Sequence, residues 1–383
     1  MAANRYDLII LGGGLAGGLA ALAMKRERPD IRVALVEAGT SFGGNHVWSF
    51  FDSDIADADK PLVEPLIAHR WGSYEVRFPA HRRQIDEPYR SIESEALDRE
   101  VRAALGDDAL VGVRVVEAGP EEVLLADGRT IGAGAVLDCR GLGAAPSAMR
   151  CGWQKFCGQL LSIPAGHGLE RPIVMDACVD QSDGYRFVYC LPFSPTELFV
   201  EDTYYSDTPD LDRDELARRI AAYAAAKGWQ VSRVSREETG VLPVVMDGDF
   251  DRFWPADDPL ARGGVRAGLF HQLTSYSLPD AVRFASWLAS DATLDGSLAA
   301  QTRKVARSAW SRGGYDRMLV RMLFLGAAPT ERFRILERFY RLPAALIARF
   351  YAGRLTVLDR LRILVGKPPI PIHRGLSAIM ERM

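Results

Sequence analysis

The sequence predicts an α/β protein with a Rossmann-like domain, an inserted domain built on an antiparallel β-sheet, and a helical C-terminal region. Three observations support this fold class. The chain opens on a strand, a glycine-rich turn and a helix, and strand-like segments follow one another between residues 156 and 207. From residue 315 to 366, arginines alternate with apolar side chains. A chain of 383 residues is also long enough to bury more than one core.

The first strand runs from Tyr6 to Leu11 and leads into three glycines with the spacing G-x-G-x-x-G. In this pattern Gly12 permits a tight turn, and Gly14 lets a pyrophosphate approach the backbone. Gly17 lets the next helix, predicted from Leu15 to Lys25, pack close to the strand. The N-terminus of that helix offers unpaired N–H groups and the positive end of its dipole to phosphates. The segment therefore predicts a dinucleotide site.

Acidic residues close two further predicted strands. Glu37 lies 20 residues beyond Gly17, where a carboxylate accepts hydrogen bonds from a ribose diol, so FAD or NAD is favoured over NADP. Gly44 follows in a glycine pair typical of FAD-dependent oxidoreductases. Asp138 ends a buried strand in the segment AVLDCRG, which resembles the second flavin-domain strand of those enzymes. We therefore predict an FAD-binding domain of the glutathione-reductase type.

The predicted elements divide the chain into three regions. Strands are predicted for 71–78, 83–86, 156–164, 172–179, 185–193, 197–205 and 231–238, and helices for 92–105 and 212–228. Because the helix at 92–105 returns the chain to the first domain, that domain is discontinuous. We expect an FAD-binding domain at 1–70, 90–150 and 260–300, a substrate-binding domain at 71–89 and 151–259, and a basic helical region at 301–383.

One predicted strand ends unusually, in the stretch FVEDTYY from Phe199 to Tyr205. Neighbouring side chains of a strand point to opposite faces, so Glu201 and Asp202 do not both face one ligand. The stretch is either a strand end that reaches solvent or a proton donor at the edge of an apolar pocket. The residues of the stretch leave both interpretations open.

A third contact with the flavin is predicted in the segment GLFHQLTSYSLPDA, which begins at Gly268. A strand (VRAG) leads into a loop and then into a helix opened by Pro279, as in related flavoproteins. The dipole of that helix favours an anionic, reduced flavin at its N-terminus. Gly268, His271 and Ser275 are the candidate contacts, and whether His271 lines the pocket is left open.

Charge is distributed unevenly along the chain. Residues 301–383 hold 17 Lys and Arg against 5 Asp and Glu, although the formal net charge of the whole chain is -3. A basic tail on an acidic body suggests that the tail meets an anionic surface. Interleaved apolar side chains favour a membrane surface, and no nucleic-acid partner is expected. Packing of these helices on the body, or a dimer contact, is the alternative.

Five cysteines, an odd number without the spacing of metal ligands, predict a reducing compartment, no disulfide framework and no metal site.

The uncharged run from Leu8 to Met24 contains five glycines and lacks a basic flank, so it fits a strand and helix better than a signal peptide. No later apolar run reaches the ~18 residues that a membrane span needs. We expect a protein that is soluble or lies on a membrane.

The sequence resembles the bacterial lycopene β-cyclases of carotenoid synthesis over nearly its whole length. The resemblance rests on LIILGGGLAGGLAA, GNHVWSF, DCRG, YRFVYCLPFSPTELFVEDTYY, GVLPV and GLFHQLTSYSLPDA. FVEDTYY and GLFHQLTSYSLP are the most specific of these segments. Ser275, with Gln272 and Leu273 before it, departs from the pattern of many relatives, which have Pro-Thr and then glycine. The backbone of that loop is therefore expected to differ slightly.

The resemblance implies a reaction without net redox change, in which ψ-end groups of lycopene close into β-ionone rings to give β-carotene by way of γ-carotene. It implies FAD in its reduced form, with NAD(P)H as the reductant. Glu201 falls on the family's acidic motif, which implies that it protonates the end group. The location implied is the cytoplasmic side of the membrane, as a peripheral protein. Candidates to line a slot for the carbocation, or else to pack in the core, are Trp48, Phe50, Tyr185, Phe199 and Tyr204.

Redox flavoenzymes are the alternative function. An FAD-dependent hydroxylase shares the two-domain layout and would consume NAD(P)H and oxygen. An isoprenoid desaturase or reductase would change the number of double bonds in its substrate. A flavin-containing lipid carrier would bind lipid without forming a product. The stretch FVEDTYY favours the cyclase over these alternatives, while the sequence leaves the oligomeric state unknown.

Overall fold

The computed structural model describes residues 5–143, 147–182 and 184–366, together with residues 375, 377 and 381. Most of the predicted basic region beyond residue 366 therefore lies outside the described residues, as do residues 1–4 of the predicted FAD-binding domain.

The strands, in chain order, are β1 (Tyr6–Leu11), β2 (Val33–Val36), β3 (Val47–Phe51), β4 (Ile67–Trp71), β5 (Tyr74–Phe78), β6 (His81–Ile85), β7 (Tyr89–Glu93), β8 (Ala109–Leu110), β9 (Val115–Ala118), β10 (Glu122–Leu125), β11 (Thr130–Asp138), β12 (Met149–Ser162), β13 (Ile173–Asp176), β14 (Tyr185–Pro192), β15 (Glu197–Ser206), β16 (Arg233–Gly248) and β17 (Ala261–Arg262). The helices are α1 (Leu15–Glu27), α2 (Lys60–Val63), α3 (Ser94–Leu105), α4 (Arg213–Ala226), α5 (Phe250–Phe253), α6 (Leu278–Asp291), α7 (Leu298–Arg312), α8 (Gly314–Leu325), α9 (Phe333–Phe339), α10 (Ala344–Tyr351) and α11 (Val357–Leu364).

The first sheet follows the strand order β8-β2-β1-β11-β10-β9, with β17 paired to β11. β8, β2, β1, β11 and β17 are parallel, whereas β10 pairs antiparallel with β11 and β9 pairs antiparallel with β10. Leu8 and Ile10 of β1 pack under α1, α3 and α6, while Ile9 and Leu11 face the layer of β9 and β10. Burial on both faces explains why β1 is a continuous apolar run. The α/β class is confirmed.

The second sheet has the strand order β16-β12-β15-β14-β13-β5-β6. It contains the strands predicted from residue 156 to 207, with the long strand β16 at one edge. The prediction that this sheet is antiparallel is wrong in one place, because β13 and β5 pair in parallel. Nearly a hundred residues separate these two strands, including part of the first sheet, and so long a connection allows a parallel pair. The sheet is therefore mixed.

Two predicted elements have different bounds in the structure. The strand predicted for 71–78 is broken at Gly72: β4 pairs with β7 in a third sheet (β3-β7-β4), and β5 joins the second sheet. The helix predicted for 92–105 begins only at Ser94, because Ile92 pairs with Trp48 of β3 and with Ile67 of β4. In both cases pairing with distant strands outweighs the local pattern.

The strand predicted as VRAG is also wrong. Gly264–Ala267 forms a single 3-10 turn. Gly264 has φ of +56° and Gly268 has φ of +74°, so the backbone leaves the extended region on both sides of the turn. The helix predicted to open at Pro279 is confirmed as α6, with Pro279 in its first turn.

The C-terminal helices α8, α9 and α10 pack on the second sheet. Val320, Leu323 and Phe339 belong to one buried cluster with Tyr185 and Phe187 of β14. By contrast, α11 leaves large apolar side chains exposed. Among the described residues, no helix has the length and apolar character needed to cross a bilayer. Packing on the body, one of the two alternatives for the basic helices, therefore applies to α8–α10.

Arg332 joins the C-terminal helices to the second sheet. It is 1% exposed. Its guanidinium donates to the backbone oxygens of Tyr205 (3.4 Å) and Phe324 (3.1 Å) and to Oδ1 of Asp207 (2.9 Å). It also lies 4.4 Å from the centroid of the Phe324 ring. A buried arginine is tolerated here because β15 and α8 both supply acceptors.

We expect Arg332→Met to lower the free energy of unfolding by about 3 kcal/mol, because buried backbone oxygens lose their donor. Urea denaturation of the flavin-loaded protein measures the change. Arg334→Met is the matched control, since Arg334 is 59% exposed and forms an ion pair with the surface residue Glu331; its effect should stay within about 0.5 kcal/mol. Equal effects of the two variants would contradict the structural role of Arg332.

Candidate active site

The glycine turn after β1 has the geometry that a dinucleotide requires. Gly12 has φ of +90°, which favours glycine. A Cβ on Gly17 would lie 2.0 Å from the backbone oxygen of Gly12, so the contact of α1 with the turn excludes any side chain there. Gly14 has no atom within 4 Å of the position of a Cβ. Open space therefore lies in front of Gly14, where the sequence predicts the pyrophosphate.

Two predicted flavin-site acids lie at the carboxyl ends of the two strands that flank β1 in the first sheet. Glu37 follows β2 and accepts hydrogen bonds from the backbone N–H groups of Gly13 (2.7 Å) and Gly39 (2.6 Å). Asp138 ends β11 and is fully buried. Burial raises the pKa of Asp138, but hydrogen bonds from Arg140 and the charge of Arg266 outweigh it and hold the pKa below its ordinary value.

The remaining predicted flavin contacts do not all come together. Ser275 lines the cavity that contains Glu201, whereas Gly268 and His271 line a neighbouring cavity. Gly44 is exposed and has φ of +64°. The assignment of these residues as flavin contacts stays a prediction.

Ser275 keeps a glycine-like backbone. Its φ is +56°, in the left-handed region that a side chain disfavours. The hydroxyl donates to the backbone oxygen of Pro243 at 2.6 Å, which helps to hold this conformation. The serine that departs from the family pattern therefore adopts a φ that glycine also takes readily.

A cavity of about 360 Å³ extends from the glycine turn to Glu201. On one side it is lined by Gly14, Leu15 and Ala16 of the turn and α1, and by Ser277 and Leu278 at the start of α6. The opposite wall is one face of the second sheet. The N-terminus of α6 thus faces the same space as the glycine turn. We refer to this space as the site cavity.

A row of cross-strand neighbours forms part of the sheet wall. Glu201 of β15 pairs with Tyr189 of β14 on one side and with Gly158 of β12 on the other. Gly158 in turn pairs with Glu238 of β16. Residues paired in this way project from the same face of a sheet. Two carboxylates therefore face the site cavity with only a glycine between them, at a Cα separation of roughly 10 Å.

Aromatic rings occupy the space above the glycines of this wall. A Cβ on Gly158 would lie 2.3 Å from the ring of Phe199, and a Cβ on Gly240 would lie 2.3 Å from the ring of Phe156. Both rings line the site cavity. Mid-strand glycines, which are otherwise unfavourable in a sheet, let these rings lie close to the backbone. The wall around Glu201 is thus largely aromatic.

Glu201 lies in an environment that disfavours its charge. The Thr203 hydroxyl donates to Oε1 of Glu201 at 2.6 Å. Burial above all, and the charge of Glu238 as well, raise the pKa of Glu201 to about 8 against the opposing effect of the Thr203 hydrogen bond. The carboxyl therefore carries its proton near neutral pH, although Asp202 beside it in sequence does not share this environment.

The other face of β15 has a structural role. Asp202 is fully buried and pairs with Arg186, whose Nε lies 3.0 Å from Oδ1. Tyr204, a candidate for the cation slot, lies on this same face in the cluster beneath α4, so that interpretation is wrong for Tyr204. Strand alternation separates these residues from Glu201.

The other four aromatic candidates divide between cavity and core. Trp48 and Phe199 line the site cavity. Phe50 packs in the core under the first sheet. Tyr185 is buried in the core beneath the C-terminal helices and also lines a small cavity next to the site cavity.

Sequence reasoning missed Glu238. It is 3% exposed, and its Oε2 accepts from the backbone N–H of Val47 (2.9 Å) and lies 3.4 Å from Nδ1 of His46. The signal was present in the stretch EETGVLP, because alternation places Glu238, Gly240 and Leu242 on one face of a strand. Identifying that face requires the strand pairing, which a single sequence does not provide.

The arrangement suits proton transfer to an apolar molecule. A protonated carboxyl faces an aromatic wall, and the same cavity reaches a turn shaped for a dinucleotide. Burial keeps the acid neutral, and the helix N-terminus at the other wall favours negative charge on whatever binds there.

Comparison with known proteins agrees with this site. The family model described as lycopene cyclase protein matches residues 7–377. The chain belongs to the lycopene cyclase family. It is 46% identical to a lycopene beta-cyclase from Pantoea ananas over 98% of both chains, and 45% identical to one from Pseudescherichia vulneris over 98% of this chain and 97% of the other. A lycopene beta-cyclase from a Paracoccus species is 43% identical over 98% of both chains. The resemblance expected from the sequence is confirmed.

Solved structures show the same fold at low identity. A geranylgeranyl bacteriochlorophyll reductase-like protein from Thermoplasma acidophilum superposes with a TM-score of 0.63 and 13% identity, covering 99% of this chain and all of the other. The halogenase PltM in complex with FAD gives a TM-score of 0.61 and 12% identity, covering 91% and 82% of the two chains. The predicted fold of FAD-dependent oxidoreductases is therefore confirmed.

We expect Glu201→Gln to stabilise the protein progressively as the pH rises. With its pKa raised from 4.5 to about 8 in the folded state, Glu201 binds a proton more tightly when folded. The contribution of Glu201 to the free energy of unfolding therefore falls between about pH 4.5 and 8, whereas a glutamine at this position makes no pH-dependent contribution. Urea denaturation from pH 5 to 9 should show the difference growing up to pH 8, with Glu197→Gln on the same strand as the control. A pH-independent difference would contradict the raised pKa.

Proposed function

We propose that the protein closes the ψ-end groups of lycopene into β-ionone rings, giving β-carotene by way of γ-carotene. The position of Glu201 carries the proposal: a carboxyl held neutral in an aromatic cavity that also reaches the dinucleotide turn. The beta-cyclases with 43–46% identity over nearly the full length support the same substrate. Because the product is an isomer of the substrate, the reaction needs an acid and a base but no net transfer of electrons.

The residues at one end of the site cavity fit FAD. Gly14 leaves room for a pyrophosphate at the N-terminus of α1, and Glu37 follows β2 at the place where a ribose diol is recognised. The start of α6 faces the same space. Reduced FAD bound there would supply negative charge next to the substrate, which favours protonated Glu201 and stabilises a cation. NAD(P)H is the proposed reductant.

Glu201 is the proposed proton donor. Its carboxyl hydrogen moves to the terminal double bond of the end group, and the neighbouring double bond attacks the carbocation to close the ring. The Glu201 carboxylate then accepts a ring proton, which restores the acid and completes the double bond. An alkene is a weak base, so the donor must face a dry cavity in which water does not intercept the cation.

The aromatic wall has a function in this chemistry. The faces of aromatic rings carry partial negative charge and attract cations within about 6 Å of their centroids. Phe156, Tyr189 and Phe199 line the site cavity beside Glu201. They exclude water from the cavity and stabilise the cation through the faces of their rings.

Deuterium labelling tests the proposed function. With lycopene in liposomes, pre-reduced FAD and heavy water under anaerobic conditions, we expect β-carotene with up to one deuterium per ring and a flavin that remains reduced. Glu201→Gln should lower the rate at least 1,000-fold, because glutamine donates no comparable proton, while Glu197→Gln should retain it. Full activity of Glu201→Gln would contradict the assignment. A product that has gained two hydrogens, with an oxidised flavin, would instead indicate a reductase.

We also propose that α11 binds a membrane surface. Its exposed apolar side chains include Leu358 (76%) and Leu361 (54%). Arg360 and Arg362 lie on the same helix, and Arg349 and Arg354 shortly before it. Exposed apolar residues with interleaved arginines suit a helix that lies in the interface of an anionic bilayer. The substrate is dissolved in lipid, so a peripheral enzyme on the cytoplasmic side meets it there.

We expect the double substitution Leu358→Glu and Leu361→Glu to weaken binding to anionic liposomes by roughly 100-fold, because burial of two leucines contributes about 3 kcal/mol. Flotation of the flavin-loaded protein measures the binding. Val116→Glu is the control, since Val116 is 63% exposed on β9, in a different part of the fold. Undiminished flotation of the double variant would contradict a membrane role for α11.

A further inference from the structure

The site cavity is too small for a whole carotenoid. Its volume of about 360 Å³ lies at the low end of the range of roughly 300–1,000 Å³ that encloses drug-sized ligands. A ψ-end group fits this space, but a forty-carbon polyene is much longer. While one end is at Glu201, most of the substrate must therefore lie elsewhere in the protein or in the membrane.

A narrow cavity continues from the site cavity. Its volume is about 70 Å³, and we call it the aromatic passage. Five residues line both spaces, among them Tyr89, Tyr189 and Thr274. Beyond them the passage is enclosed by tyrosine, phenylalanine and aliphatic side chains of the second sheet and the C-terminal helices. A largely apolar and aromatic lining suits a polyene.

A third space, the outer cavity, adjoins the aromatic passage and has a volume of about 280 Å³. Phe350 and Tyr351 of α10 line both of these spaces. Tyr276 lines all three cavities. Its hydroxyl donates to the backbone oxygen of Ser49, which holds the ring between the site cavity and the two cavities beyond it.

The outer cavity lies beside the helix proposed to meet the membrane. Arg354, which precedes α11, and Arg360, which lies on it, form part of its wall, and Arg312 at the end of α7 forms another part. Arginines can keep their charge at the level of lipid headgroups while their apolar stems cover a passing chain. The exposed leucines of α11 then lie at the level of the acyl chains.

We propose that, while one end group is at Glu201, the rest of the polyene lies along the aromatic passage, past Tyr276, and through the outer cavity to the bilayer at α11. The route rests on the proposed function, because it assigns a place to the remainder of the molecule during cyclisation. Tyr276 is then a residue that determines which substrates pass.

Filling the outer cavity tests the route. Ala309 of α7 lines this cavity and neither of the other two, and Ala309→Trp adds a side chain that projects into it. Ala309→Leu is a milder variant in case the tryptophan disturbs folding. Ala300→Trp, exposed on the same helix, is the matched control. Two substrates are compared with reduced FAD: lycopene, and a twenty-carbon polyene that carries the same ψ-end group and fits more nearly within the site cavity.

We expect Ala309→Trp to lower kcat/KM for lycopene at least tenfold and to change that for the short polyene less than threefold, with Ala309→Leu between Ala309→Trp and the parent. Equal losses for both substrates, or no loss for either, would overturn the route. The route is also tested without turnover. The shift in the absorption spectrum of lycopene measures its binding to the protein loaded with oxidised FAD. If the parent protein binds lycopene but converts neither polyene, the proposed function fails. In that case, weaker binding of lycopene by Ala309→Trp, but not by Ala300→Trp, would still support the route.

Discussion

A carboxylic acid that keeps its proton near neutral pH is the condition on which the site depends. Water stabilises the charged form of a carboxyl strongly, so the protein must remove most of that water without supplying a cation in its place. The second sheet achieves this by placing Glu201 among aromatic rings and next to a second carboxylate across Gly158. The next residue of β15 has the opposite electrostatic environment, because Asp202 is buried against the positive charge of Arg186. Adjacent carboxyl groups thus have different partners, a second carboxylate for Glu201 and an arginine for Asp202, because a strand presents them to different faces.

The two sheets divide the work of the fold. The first sheet ends its parallel strands at one edge, where the glycine turn, Glu37 and Asp138 meet. The second sheet supplies a wall with alternating aromatic and small residues. The C-terminal helices pack on the second sheet through Arg332 and a shared apolar core. Because the site cavity lies between the sheets, neither sheet alone defines it.

The sequence predicted the parts of this fold that depend on local patterns. The glycine spacing, the buried runs of β1 and β2, and helices α1, α4 and α6 follow from periodicity and turn chemistry, and the structure confirms them. Contacts between distant segments were not predictable in this way. Ile92 is drawn into β7 by its partners on β3 and β4, and Glu238 reaches the site only through its register with β12. The importance of Glu201 came from a family motif, while its raised pKa required knowledge of burial.

A cavity that holds one end group at a time has a kinetic consequence for a molecule with two reactive ends. After the first ring closes, the half-finished molecule must withdraw and return with its other end, so each encounter is a separate event. The intermediate then competes with fresh lycopene for the same acid. The ratio of one-ring to two-ring products would be governed by partitioning between re-engagement and diffusion away in the bilayer, and would vary with the amount of substrate dissolved there.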